Sequence, residues 1–233
     1  MAFLRNLMGS VLKFIYEGVA SILPNEPSII SYLAISIIII SIIFKVVLFP
    51  IFLSSIKNQK IQAKFAKEQQ KIREKYKHDQ QAMNLKLMEF NKEHGIKQLG
   101  GCLPMIFNLI LVLAMFAVMR EPLLYIFGDA NANVMKNFLW IKDLSAPDPL
   151  LYGLPLINAV TQYIYLDLSN RDQKDNPGAK SMETMKYIFP FIIFISAKSF
   201  SAGLALYWAM TNIVEILLRL ALTAYENKKM SNQ

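Results

Sequence analysis

The amino-acid sequence predicts an all-α integral membrane protein with five transmembrane helices around a polar groove, a cytoplasmic helical hairpin and an N-terminal interfacial amphipathic helix. Three observations carry that prediction. Of the 233 residues 54% are hydrophobic and only 18% charged, and the mean hydropathy is +0.33, far from the balance of a soluble domain. Apolar residues gather in five long runs rather than in alternating ten-residue segments, which favours helices over an outer-membrane barrel. Basic residues crowd some of the segments between runs and are outnumbered by acids in another, which orients the chain across the bilayer.

Residues 1–27 form the interfacial helix and its linker. Asn6, Ser10, Lys13 and Glu17 recur at helical spacing, while Leu4, Leu7, Met8, Val11, Ile15, Val19 and Ile22 cover the other side. Such a helix lies in the plane of the interface, here on the outer face. The same polar residues and Arg5 interrupt any signal-peptide core, and Pro24 and Pro27 separate the helix from the first span.

Span one, residues 28–53, contains Lys45 inside its apolar run. A lysine near the bilayer centre costs roughly 2.5–3.5 kcal/mol on insertion scales, so membrane segments keep one mainly where it faces protein, water or a polar ligand. Ending the helix at Lys45 would leave the apolar stretch 46–53 in water. Leu53 lies roughly 12 Å further along a helix, beyond easy reach of a snorkelling stem. Lys45 therefore faces inward.

Residues 54–100 carry eleven Lys or Arg against five acids, whereas 120–149 carries three against four. The first segment is cytoplasmic and the second lies outside, so the N-terminus is outside and the C-terminus in the cytoplasm. Within 54–100, a stripe of Ile61, Phe65, Ile72 and Tyr76 faces one of Met83, Leu87 and Phe90 across a turn at His78 and Asp79, with Gly95 as the stop. The remaining spans are 103–119, 150–168, 185–200 and 202–222. They are joined by the outer segment 120–149 and the cytoplasmic loop 169–184, where Asp175-Asn176-Pro177-Gly178 marks a turn, and are followed by the tail 223–233. Cys102 has no disulfide partner, and His78 and His94 lack a second ligand at metal spacing, so neither a cofactor nor a metal is expected.

Polar residues inside the spans define the candidate site. Asn158, Thr161, Gln162 and Tyr165 share one face of span three, opposite Leu156, Val160 and Ile164. Span five carries Trp208, Thr211, Asn212 and Glu215 at the same kind of spacing, and span two carries Asn108 one turn from its cytoplasmic start. Interhelical hydrogen bonding, worth under about 1 kcal/mol per residue, explains one or two such residues better than a polar face plus a charge. A water-accessible groove open to the cytoplasm and closed outside accounts for them together. Glu215 has two candidate partners, Arg219 at i+4 and Lys45 as counter-ion.

Several segments together resemble the YidC-type (Oxa-type) membrane protein insertases, in the short form without a large extracytoplasmic domain. They are Lys45-Val46-Val47-Leu48-Phe49-Pro50-Ile51, His94-Gly95 before Gly101-Cys102-Leu103-Pro104, Phe138-Leu139-Trp140 with Asp143-Leu144 and Asp148-Pro149, and Leu206-Tyr207-Trp208 with Asn212. The resemblance implies a five-helix core around a positively charged groove, with Lys45 where the family usually has arginine. It also implies substrates that are nascent membrane proteins, received from the ribosome or the Sec translocon and released into lipid. Lys97-Gln98 departs from the family's frequent Asn-Pro, and the tail after Arg219 is short for a ribosome-binding arm.

On this reading the chain is not an enzyme: no nucleotide loop, catalytic triad or metal cluster appears, and no direct nucleic-acid recognition is expected. Lys45 attracts an acidic flank while Asn108, Gln162, Tyr165 and Asn212 hydrate the incoming segment, and Asn158 and Trp208 complete the groove. At an effective dielectric near 20, charges about 4 Å apart attract by roughly 4 kcal/mol, comparable to the insertion penalty of an acid. Two rivals share the same residues. A small-solute or ion transporter would use the same cavity, although no internal repeat or interrupted helix pair points to one; a membrane scaffold would act through the hairpin.

Overall fold

The computed structural model describes residues 2–96, 103–171 and 179–231. Lys97-Gln98, Gly101-Cys102 and the turn signal at 175–178 lie outside the described residues. Among those described, every regular element is helical, and extended pairing is limited to isolated bridges of Phe138 with Ile30 and Ile141.

Helix α1 (Ala2–Ile22) buries Met8, Gly9, Leu12, Ile15 and Val19 against α2 (Tyr32–Val47), α6 (Leu103–Met119) and a π-helical turn, Leu123–Phe127. Gly9 permits the close approach, since a Cβ there would lie 2.1 Å from the Tyr125 carbonyl oxygen. Leu7 and Ile22, assigned above to the apolar side, point outward with Phe3 and Phe14. The helix thus spends its apolar stripe on the bundle and keeps a second apolar edge exposed.

Ser31 caps α2, its hydroxyl accepting from Ala34 N at 3.2 Å. The helix breaks at Leu48, and α3 (Phe49–Lys64) leaves it bent by 55°. The run expected to cross the membrane to Leu53 is thus built from two helices: Pro50 stands in the first turn of the second, where its missing N–H costs nothing. The hairpin is likewise divided. Its first arm breaks at Phe65, between α3 and α4 (Ala66–Lys75), and its second arm is α5 (Gln80–Glu93).

Asp79 caps α5 through Ala82 N at 2.9 Å, and Gly95 ends the hairpin at φ +67. The facing stripes meet where Phe65 packs against Phe90 edge-on and against His94 at a tilt, with centroids 5.9 and 4.4 Å apart, and where Gln69 donates to Asn91 at 2.8 Å. His94 is thereby engaged in the hairpin's packing.

Helix α7 (Leu154–Arg171) packs on α8 (Ala179–Ser196) and on α9 (Ala202–Ser231), and α9 also contacts α2 and α6. That makes α9 the central helix. It continues as helix through the segment expected to be a tail, and its Glu226 pairs with Lys60 of α3. Among the described residues α9 alone is long and apolar enough by itself to cross a membrane; α2 and α3 pass only as a bent pair, and α6 is a shorter apolar helix.

The segment 120–149 clamps the ends of three helices. Ser31 donates through both N–H and hydroxyl to Asn137 O, and Leu139 N–H donates to Ile29 O. Ala202 and Gly203 donate to Ala146 O and Leu144 O at the start of α9. Asp148 accepts from Trp140 Nε1 and from the backbone N–H groups of Leu150 and Leu154, which caps α7 and ties it to Trp140. The motif of Trp140, Asp148 and Pro149 is therefore a closure for this end of the bundle.

Candidate functional site

The sequence-selected polar residues fall into two groups, both built on α9. In the first, Lys45 Nζ of α2 lies 3.0 Å from Glu215 Oε2 of α9 and donates to Asn108 Oδ1 of α6 at 3.2 Å. The Tyr165 hydroxyl of α7 also engages Glu215. Both charged side chains of the pair are 11% exposed. One ammonium, one carboxylate, an amide and a phenol from four helices thus converge.

The second group lies between α7 and α9. Gln162 Oε1 accepts from Asn212 Nδ2 at 3.1 Å and from Trp208 Nε1 at 3.2 Å. Asn158 Nδ2 donates to Ala205 O at 2.9 Å, a side-chain tie to the facing backbone. Asn158, Gln162 and Asn212 are buried, whereas Asn108, Tyr165 and Trp208 are half-buried. Leu156, Val160 and Ile164 are exposed on the opposite face of α7, as its periodicity predicted. The expected single polar face is divided into an inter-helix hydrogen-bonded seam and a charged cluster beside it.

Arg219 is the residue whose role the sequence did not separate from that of Glu215. It is buried one turn beyond Glu215, donates to Leu168 O and Ser169 Oγ at the end of α7, and lies over the Phe52 ring of α3 at 5.9 Å. A buried arginine at the last turn of a neighbouring helix suits the unsatisfied carbonyls there. Its sequence signal was present, a cation late in an apolar run, but i+4 spacing to Glu215 offered a local partner. Below it, Asp167 receives Arg171 and Lys186, which joins α7 to α8. No cluster of three or more metal-ligating side chains occurs among the described residues.

The family described as 60Kd inner membrane protein matches residues 26–230. The chain belongs to this family of YidC-type insertases. It is 31% identical over 217 residues to the membrane protein insertase YidC of Fusobacterium nucleatum subsp. nucleatum, covering 93% of this chain and 95% of that one. It is 36% identical over 183 residues to the protein of the same name from Geobacter sulfurreducens, covering 78% of this chain but 32% of that longer one. A crystal structure of an active YidC insertase with its first transmembrane domain resolved shares the fold, with a TM-score of 0.60 over 91% of this chain and 45% of that one, at 21% identity. Membership of this family assigns the chain to a membrane.

Proposed function

We propose that the chain is a membrane protein insertase that takes up transmembrane segments beside the Lys45–Glu215 cluster and releases them into lipid. The observation that carries this reading is the convergence of Lys45, Asn108, Tyr165 and Glu215 from four helices in a chain of the YidC-type family. A polar flank entering there meets hydrogen-bonding partners instead of hydrocarbon, which lowers its desolvation barrier. Its apolar part passes along the exposed face of α7 at Leu156, Val160 and Ile164. Burial of substrate side chains, at roughly 25 cal/mol per Å² of apolar surface, drives release into the bilayer.

Five spans fit this reading. Beyond α9 and the bent pair α2–α3, exposed apolar belts run along α6 (Ile106, Leu109, Ile110 and Leu113), α7 (Leu156, Val160 and Ile164) and α8 (Ile188, Phe191, Ile192 and Ile195). Contiguous exposed apolar surface of this kind suits lipid rather than water. The termini then lie on opposite sides, with α1 outside and α4 and α5 in the cytoplasm. The hydrogen-bonded closure at Trp140 and Asp148 supports a site shut on the outer side. Substrates are nascent membrane proteins, delivered by the ribosome or the Sec translocon, and Asn158, Gln162, Trp208 and Asn212 form the seam that must loosen as a segment passes.

Reconstitution tests the reading. Purified protein in liposomes is expected to raise insertion of a single-spanning protein several-fold over protein-free vesicles. Solute flux with no help to insertion would favour a transporter instead.

A further inference from the structure

Glu215 is not required for a groove that merely attracts acidic flanks; a lone ammonium at position 45 would attract them more strongly. Yet the carboxylate lies 3.0 Å from Lys45 Nζ, and both side chains are only 11% exposed. Other ionic groups lie nearby on α9 and α7. Arg219, one turn along α9, contacts Leu168 O, Ser169 Oγ and the Phe52 ring. Asp167 holds Arg171 and Lys186. Tyr165 and Asn108 contact the pair from α7 and α6 and bring no formal charge.

We infer that Glu215 sets the charge class of the segments this chain accepts: the pair takes flanks of either sign, an acidic one at Lys45 and a basic one at Glu215. The inference rests on the insertase reading above. An incoming carboxylate exchanges with Glu215 at the ammonium, and an incoming ammonium or guanidinium exchanges with Lys45 at the carboxylate. Removing one member of a buried pair leaves the other charge uncompensated, so each exchange is selective for the sign that restores pairing. Arg219, at i+4 on the same helix, is placed to accept Glu215 while an acidic flank occupies Lys45. No such reservoir of opposite charge is required for a groove of one sign.

The test is the ratio of insertion rates, in proteoliposomes of the full chain without an imposed potential, for two single-spanning proteins that differ only in a flank of two Asp or two Lys. A ratio cancels losses from imperfect folding. Wild type is expected to give a ratio within about threefold of one. Glu215→Gln should shift it toward the acidic flank by about tenfold, or about 1.4 kcal/mol. Lys45→Gln should shift it the other way, and the exchanged double variant Lys45→Glu/Glu215→Lys should return near wild type. A ratio that stays within about twofold of wild type in both single variants overturns the inference while leaving the insertase reading intact. Wild type that inserts neither protein overturns both.

Discussion

The Lys45 ammonium and the Glu215 carboxylate, 170 positions apart in sequence, lie 3.0 Å from each other and join α2 to α9. Asn108 of α6 donates no charge but accepts from the same ammonium at 3.2 Å, so three helices share one ionic contact. The pair therefore has a structural duty alongside its proposed part in substrate uptake.

Because both members are largely removed from water, Lys45→Met alone should lower thermal stability in detergent by an amount corresponding to about 3–5 kcal/mol. Lys45→Met combined with Glu215→Leu should lower it much less. Equal losses in the single and double variants, measured by thermal melting, would contradict the paired arrangement.

Asp148 accepts from the Trp140 indole and from the N–H groups of Leu150 and Leu154, so Asp148→Ala leaves several donors at the start of α7 unpaired. The expected cost is about 2–3 kcal/mol, larger than that of Trp140→Phe, which removes one donor to a charged acceptor. Gly153→Ala should also destabilise, because its Cβ would lie 2.4 Å from Asp148 Oδ2 and 2.9 Å from the Trp140 ring. Chemical cleavage or proteolysis within 120–149 would report the loosened closure.

Gln162 and Asn212 form the seam between α7 and α9 at 3.1 Å. A double-mutant cycle with Gln162→Leu and Asn212→Leu is expected to give a coupling of about 0.6 kcal/mol, the usual scale for hydrogen bonds between membrane helices. A coupling indistinguishable from zero would mean that the two side chains do not meet.

Outside the spans, Asp143 offers a pH handle. Burial pushes its carboxyl up, but the Ser145 backbone N–H and the Lys136 ammonium outweigh burial and hold it below its ordinary 3.8. A carboxyl lowered in the folded state contributes stability that is fully present above the ordinary value and is lost as pH falls through the lowered one. The melting-temperature gap between wild type and Asp143→Asn should therefore be largest near about pH 6 and shrink in acid, and added salt should narrow it at the half-buried Lys136 pair.

Much of this arrangement is legible along the chain, and the misses share a cause. The helix-period face of Asn158, Gln162 and Tyr165, the exposed opposite face at Val160, and the hairpin turn at His78 and Asp79 all follow from spacing and local chemistry. The break at Leu48 does not, because hydrophobicity continues unchanged to Leu53 and Pro50 is as compatible with a helix start as with a kink. The π-helical turn at Leu123–Phe127 and the approach of Gly9 to Tyr125 depend on contact between distant segments. For Glu215 the sequence offered Arg219 and Lys45 alike. Only the packing of α2 on α9 places the Lys45 ammonium at the carboxylate, while Arg219 reaches the end of α7.

The central claim is that segments pass beside the charged cluster, and site-specific photocrosslinking to a nascent single-spanning protein tests it most directly. Crosslinkers at positions 45, 108 and 165 should capture the substrate during insertion, with little capture from position 57 on α3 or position 13 on α1. Capture that is equal at all five positions, or absent from 45, 108 and 165, would contradict the account.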